Sequence, residues 1–223
     1  MHRIRAVAAV AAALMLSTTV NAQSIITSRA ALGATGFFDW SVLGPTLTSV
    51  ANPTSGIAGT TTGGITATVS RSTAGIMSRL DQGNGWSGNF AAGDALLWTN
   101  NQPGFLRIAF SSAVDGVGAQ IQQNVFGAFT GVLRVFNGAT LLNTFNLAGN
   151  STNTSGDNSA IFLGAQGAPI TAIEYQMSDI TKDFAINRLS IRSTSVVPEP
   201  STYALLATGL VALMGVSRRR RRA

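Results

Sequence analysis

Two strand-like runs decide how this chain reads. Gly131-Val132-Leu133-Arg134-Val135-Phe136 and Thr140-Leu141-Leu142-Asn143-Thr144-Phe145-Asn146 are joined by Asn137-Gly138-Ala139. Their apolar residues recur two apart, and branched or aromatic side chains suit a pleated, half-buried surface. Asn-Gly supplies the left-handed backbone that a two-residue type I′ turn requires, so the stretch predicts a β-hairpin. Leu133, Val135, Leu141 and Phe145 are then expected to face a common core.

Outward from this hairpin the same signals repeat. Short apolar or alternating runs occupy 64–69, 105–110, 118–121, 160–163, 170–175 and 184–191, separated by Gly, Asn, Asp and Pro. No convincing long amphipathic helix interrupts them. Regular spacing of this kind predicts an all-β, antiparallel β-sandwich or jelly roll over residues 23–195. The polar insert 149–158 reads as a turn region, and the glycine-rich stretch 82–102, with Trp86, Phe90 and Trp98, as a long ordered loop.

The two ends read differently. Residues 1–22 have a short basic start, an apolar run over 6–16 and small residues in Val20-Asn21-Ala22, the pattern of a secretory signal peptide helix. Residues 196–223 carry Val197, Pro198, Glu199 and Pro200, then an apolar stretch over 203–216, then Arg218, Arg219, Arg220, Arg221 and Arg222. The prolines keep the motif extended for recognition. Ser201 and Thr202 can cap a following helix. The apolar stretch is short of the roughly 20 residues of a full span, so flanking residues are expected to complete a transmembrane helix. The arginines are expected to act as a stop-transfer signal on the cytoplasmic side.

This order of motif, apolar helix and basic tail closely resembles the PEP-CTERM sorting signal of Gram-negative bacteria. The resemblance implies an exosortase as processing partner, recognition through Pro198, Glu199 and Pro200, transient anchoring in the inner membrane, and delivery to the cell surface or an exopolysaccharide matrix. In the body, Gly116-Val117-Gly118-Ala119-Gln120-Ile121 and Phe129-Thr130-Gly131-Val132-Leu133 strengthen the picture. So do Asn158-Ser159-Ala160-Ile161-Phe162-Leu163-Gly164 and Asp183-Phe184-Ala185-Ile186-Asn187-Arg188-Leu189. These runs look like the jelly-roll bodies of PEP-CTERM proteins, which are similar to lectin-like and carbohydrate-binding sandwiches.

Charge separates the ends from the body. The 223 residues carry a formal charge of +6, which by itself would suggest nucleic acid or an acidic membrane surface as partner. Of fifteen basic residues, however, two lie in the first five positions and five in the terminal arginine run, leaving eight between Gln23 and Ser193. Eight of the nine acidic residues lie in that same segment, so the body is formally neutral and no nucleic-acid partner is expected. There is no cysteine, and the one histidine is His2, inside the segment expected to be removed. Thiol chemistry, cysteine-bound metals and imidazole-dependent mechanisms are therefore excluded from the mature body.

Three candidate chemistries remain. Trp86 and Trp98, with Asn84 beside them, are the candidate glycan-binding residues, because an indole face stacks on a pyranose and an amide bonds its hydroxyls. Trp40, between Phe38 and the neighbouring apolar residues, is expected in the core. Asp157, Asp179 and Asp183 are the oxygen donors available for a structural calcium, although no spaced ligand motif joins them. No pair of acids stands out as catalytic. The chain is expected to need no cofactor and to be an exported, non-enzymatic surface or biofilm-matrix protein, with a polysaccharide-active hydrolase as the alternative.

Overall fold

The computed structural model describes residues 22–61 and 63–193, so the signal peptide, the sorting motif, the apolar stretch and the arginine tail lie outside the described residues. Fourteen strands account for most of the described chain. They are β1 (Ser24–Ile26), β2 (Gly36–Phe38), β3 (Thr48–Val50), β4 (Thr54–Ala58), β5 (Thr66–Arg71), β6 (Met77–Gln82) and β7 (Gly85–Trp86). Then come β8 (Ala95–Trp98), β9 (Leu106–Gln123), β10 (Gly127–Asn137), β11 (Thr140–Ser151), β12 (Ile161–Met177), β13 (Phe184–Ile186) and β14 (Leu189–Arg192). One short helix, α1 (Arg29–Leu32), is capped at its start by the Ser28 hydroxyl.

The all-β expectation holds, with a difference in how the strands divide. Runs expected as separate strands merge: 105–110 and 118–121 are parts of β9, and 160–163 and 170–175 are parts of β12. These two long strands pair antiparallel along most of their length, and all the strands belong to one sheet.

That ribbon cannot be straight. Leu163 and Tyr175 are 12 positions apart on β12, which at about 3.3 Å per residue would separate them by about 40 Å. Yet the Tyr175 hydroxyl donates to the Leu163 carbonyl at 2.8 Å and accepts from the Ala119 amide at 3.0 Å. The ribbon therefore folds over on itself. The bend lies where the register shifts, between Gln166 and Ala172 opposite the exposed residues Ser111 to Ala113. Extra residues on one strand of a pair are what re-aims a strand.

Folding the ribbon gives the sheet two layers. One joins β4, β5, the first part of β9, the second part of β12, β10 and β11. The other joins β1, the first part of β12 and the second part of β9 to β13, β14, β2, β8, β6 and β3. Between them lies the main core, where Val69, Leu106, Ile108 and Ile173 meet Val117, Ile121, Leu163 and Ile186. Trp40 and Phe38 are fully buried here, as expected.

Three local expectations are corrected. The stretch 82–102 is not a single loop, because β7 and β8 form within it and pair with β6. The hairpin between β10 and β11 is present, but Gly138 and Ala139 are its central residues and Gly138 takes the left-handed φ of 59°; Asn137 stays in the strand. The turn is therefore glycine-led rather than the type I′ pair Asn137-Gly138. A register shift then follows between Val135 and Phe136, so Leu141 pairs with Phe136 and is 44% exposed, while Leu142 packs against the core with Leu133, Val135 and Phe145.

On the outer face of the first layer, Glu174 bridges two arginines on neighbouring strands, Arg107 at 2.8 Å and Arg134 at 2.7 Å. Both guanidinium groups lie over the Phe136 ring, at 4.8 and 5.2 Å. The carboxylate is buried and shared, which suits three adjacent strands held at one level.

Tyr175→Phe removes the hydroxyl alone and leaves the Ala119 amide and the Leu163 carbonyl without it. The expected cost is about 1–3 kcal/mol. Denaturant unfolding should show a lower midpoint with an unchanged slope.

Candidate functional site

Strand β9 presents two glutamines to the side opposite the core. Ala119 and Ile121 point inward, so Gln120 and Gln122 point out beneath the loops that precede β8 and β12. Each glutamine organises a separate network.

Gln122 ties two loops together. Its amide donates to Asn89 Oδ1 at 2.9 Å and to the Ser151 hydroxyl at 2.8 Å, while its oxygen accepts from the Asn89 amide and the Trp86 indole. Asn89 in turn donates to Thr152, Ser159 and the Asp157 carboxylate, and its oxygen accepts from the Thr152 amide. Gln122 and Asn89 are almost fully buried, so the satisfied network fixes the position of the insert 152–159.

Gln120 organises the second network, around a break between two inner strands of the sheet, β13 and β14. Asn187 lies between β13 and β14; its amide donates to Gln120 Oε1 at 2.6 Å and to Asp94 Oδ2 at 2.8 Å. Its oxygen accepts from the Gln120 backbone at 3.0 Å and from Arg29 Nη2 at 3.1 Å. Gln120 also donates to Asn158 Oδ1 at 3.0 Å. Trp40 closes the floor by donating its indole N–H to the Asn187 carbonyl at 2.8 Å.

Arg29 is set in place by packing from below. A Cβ on Gly118 would lie 2.6 Å from the Phe162 ring, so only glycine lets that ring settle on the strand. The Arg29 guanidinium then lies 5.3 Å over the ring. Burial lowers its pKa, and the neighbouring Arg188 lowers it further, against a raising pull from Asp94.

Around these groups lie two clefts that share Arg29 and Arg188. One, of about 280 Å³, is lined by Asp39, Asp94, Gln120, Asn158 and Asn187 with the two arginines. The other, of about 410 Å³, is lined by Thr35, Gly36, Phe37, Thr60 and Ser190 with the same two arginines. The first combines carboxylates, which accept, with guanidinium groups, which donate, and amides, which do both. Vicinal hydroxyls need that mixture.

The expected glycan residues are not at this site. Trp86 is 4% exposed and encloses a small second core with Leu80, Phe90 and Leu96, so no indole face is presented for stacking. Trp98 packs on that core from the side, with its ring 6.3 Å from Trp86, and donates to Asp183 at 2.6 Å. Asn84 is exposed in the turn between β6 and β7. The three candidate calcium ligands are likewise dispersed in role. Asp157 accepts from Asn89 and Ser159, Asp179 from Thr181, and Asp183 from Trp98 and Asn124. Among the described residues no three acidic side chains group as a metal site.

Arg29, Asp94, Gln120, Asn187 and Arg188 were not singled out from sequence. One signal was present: Asn187-Arg188 places two polar residues together inside the run 184–191, where strand alternation allows one. That doubling marks the break between β13 and β14.

Residues 196–222 match the PEP-CTERM protein-sorting motif, which marks the chain for export, anchoring in the membrane and exosortase processing. No curated protein matches the chain. Among solved structures it is similar to CsCBM6-3 from Clostridium stercorarium, solved in complex with cellobiose, at 12% identity over 53% of this chain and 82% of that one, with a TM-score of 0.29. It is also similar to a family two carbohydrate esterase from Cellvibrio japonicus at 10% identity, covering 79% of this chain and 37% of the esterase, with a TM-score of 0.16.

The hydroxyl and backbone of Ser159 hold the exposed Asp157 carboxyl below the usual aspartate range, and the Thr181 hydroxyl does the same for Asp179. A lowered folded pKa means the carboxylate supports the loop above the ordinary aspartate pKa and ceases to as pH falls through the lowered value. Amide exchange in 152–159 should therefore stay protected at neutral pH and lose protection only under strongly acidic conditions, whereas Asp157→Asn, which has no carboxyl to titrate, should show weaker protection already at neutral pH and no such acid-dependent fall.

Proposed function

We propose that this chain is a non-catalytic, exported protein of the cell surface or extracellular matrix whose jelly-roll body binds polysaccharide, associating with exopolysaccharide in a biofilm. The observation that carries the reading is the cleft beside Asn187. Asp39, Asp94, Gln120, Asn158, Arg29 and Arg188 line one polar hollow; Arg29, Asp94 and Gln120 are held in place by bonds to Asn187, and Asn158 by its bond to Gln120. Preset donors and acceptors cost little ordering on binding, which is what a hydroxyl-rich ligand requires. The folded ribbon of β9 and β12 supports the jelly-roll reading, since strands that pass from one layer to the other join such sandwiches. The sorting motif supplies the route outward, with the surface or matrix as its end.

The hydrolase alternative draws on one observation. Asp39 and Asp94 line the same cleft, and glycosidases act through two carboxylates. Both already accept structural hydrogen bonds, Asp39 from the Ser41 amide and Asp94 from Asn187, which favours binding. Trp98 and Asn84 remain a second place where a glycan could touch the body, through a half-exposed indole and an exposed amide.

For the binding reading, Asp94→Asn keeps the shape of the side chain and removes its charge. It should weaken binding of the producing cell's own polysaccharide by about tenfold or more, the worth of a hydrogen bond to a charged group, in a pull-down with the exported protein. Release of new reducing ends from the polymer, abolished by the same substitution, would instead establish the hydrolase. For the sorting reading, Glu199→Ala should leave the unprocessed chain in the membrane, seen as a larger mass in the membrane fraction. Unchanged mass and location would sink the proposed role of that glutamate.

A further inference from the structure

The second cleft contains only one sign of charge. Arg29 and Arg188 are its charged lining residues, while Asp39 and Asp94 line the neighbouring hollow. Among the described residues, no carboxylate lies within ion-pair distance of either arginine; the ion pairs there are Arg79–Asp81 and those of Glu174. Arg29 is held by neutral acceptors, the Arg188 carbonyl at 3.1 Å, Asn187 Oδ1 at 3.1 Å and the Ser190 hydroxyl. Arg188 is exposed, and its guanidinium stacks at 4.6 Å on the Phe37 ring. Its N–H groups donate to no described residue.

The same chain shows how it completes such an arrangement elsewhere. On the first layer Arg107 and Arg134 stack on Phe136, and the Glu174 carboxylate lies between them, at 2.8 and 2.7 Å. At the cleft, Arg188 stacks on Phe37 and Arg29 on Phe162, again two cations on aromatic support, here with one ring for each. The bridging carboxylate is the part that none of the described residues supplies. Two guanidinium groups close together repel, and the lowered pKa of Arg29 reflects burial together with that repulsion. A planar carboxylate matches the guanidinium fork and removes the repulsion. Thr35, Thr60 and Ser190 line the same cleft, the buried Ser190 hydroxyl accepting from Arg29.

We infer that the Arg29–Arg188 cleft is a subsite for the carboxylate of an acidic sugar residue, so that the polysaccharide bound is a polyuronate. The inference rests on the polysaccharide-binding reading and names its ligand class. The amide-lined hollow next to it takes the hydroxyls of the adjoining sugar.

The test uses the full chain purified in detergent and four polymers: polygalacturonate, its carboxyl-reduced form, dextran and dextran sulfate. Titration calorimetry should show binding of polygalacturonate that falls about tenfold or more on carboxyl reduction and weakens as salt is raised. Arg188→Gln, an exposed change checked for native circular dichroism, should reduce polygalacturonate binding to a similar degree, flatten its salt dependence and narrow the gap in affinity between the native and the carboxyl-reduced polymer. The comparison of native with reduced polymer needs no variant, so it decides the matter even if Arg188→Gln folds poorly. Equal affinity for the two polymers, or tighter binding of dextran sulfate than of polygalacturonate, overturns the carboxylate subsite and leaves polysaccharide binding standing. Binding to none of these polymers and none to the native polysaccharide overturns both.

Discussion

One hydroxyl group marks the constraint on which this body depends. Tyr175 lies on the second half of β12 and bonds to Leu163 on the first half and to Ala119 across the pair. It can do so only because the β9–β12 ribbon doubles back, and the doubled ribbon is what creates an inside. With the ribbon straight, Ile108 and Ile173 would have no partners opposite them, and the alternation along β9 would have no buried side to serve. Burial raises the Tyr175 phenol pKa well above its usual value, so the group is a neutral donor and acceptor at neutral pH.

The same fold decides where function can reside. Because Ala119 and Ile121 are drawn into the core, Gln120 and Gln122 are turned outward, and each fastens a neighbouring loop. The break at Asn187 lets one side chain take the place of a strand, meeting the Gln120 backbone and presenting its amide to Asp94. Polar groups that would be costly if left unpaired become a rigid lining for a cleft. Arginine, meanwhile, is supported by aromatic rings on both layers, with Glu174 between the pair on one layer and two clefts around the pair on the other.

Much of this architecture was legible in the residues. Alternation in β5 and β10 and the glycine at the hairpin identified an all-β body, and Phe38 and Trp40 were placed in the core. The failures have physical causes. The alternation puts Leu141 in the core because a strand pattern cannot show a one-residue shift of register, which turns each later side chain to the other face. Trp86 suggested an exposed loop because glycines surround it, yet those glycines let the chain turn tightly enough to bring its indole against Phe90 and Leu96. Merged strands were missed because a bend and a strand end have the same polar, glycine-containing composition.

By itself the sequence determined the sorting signal of this protein, its β class and the neutrality of its body, since each depends on order, periodicity or count along the chain. Only the tertiary structure decided which polar residues form a site. Arg29 and Arg188 are 159 positions apart and Asp94 and Asn187 are 93 apart, and they meet because a folded ribbon brings distant strand ends together. Apolar patterns repeat locally and can be read locally, whereas a cleft is made by contacts between segments whose separation in the chain carries no trace of their closeness.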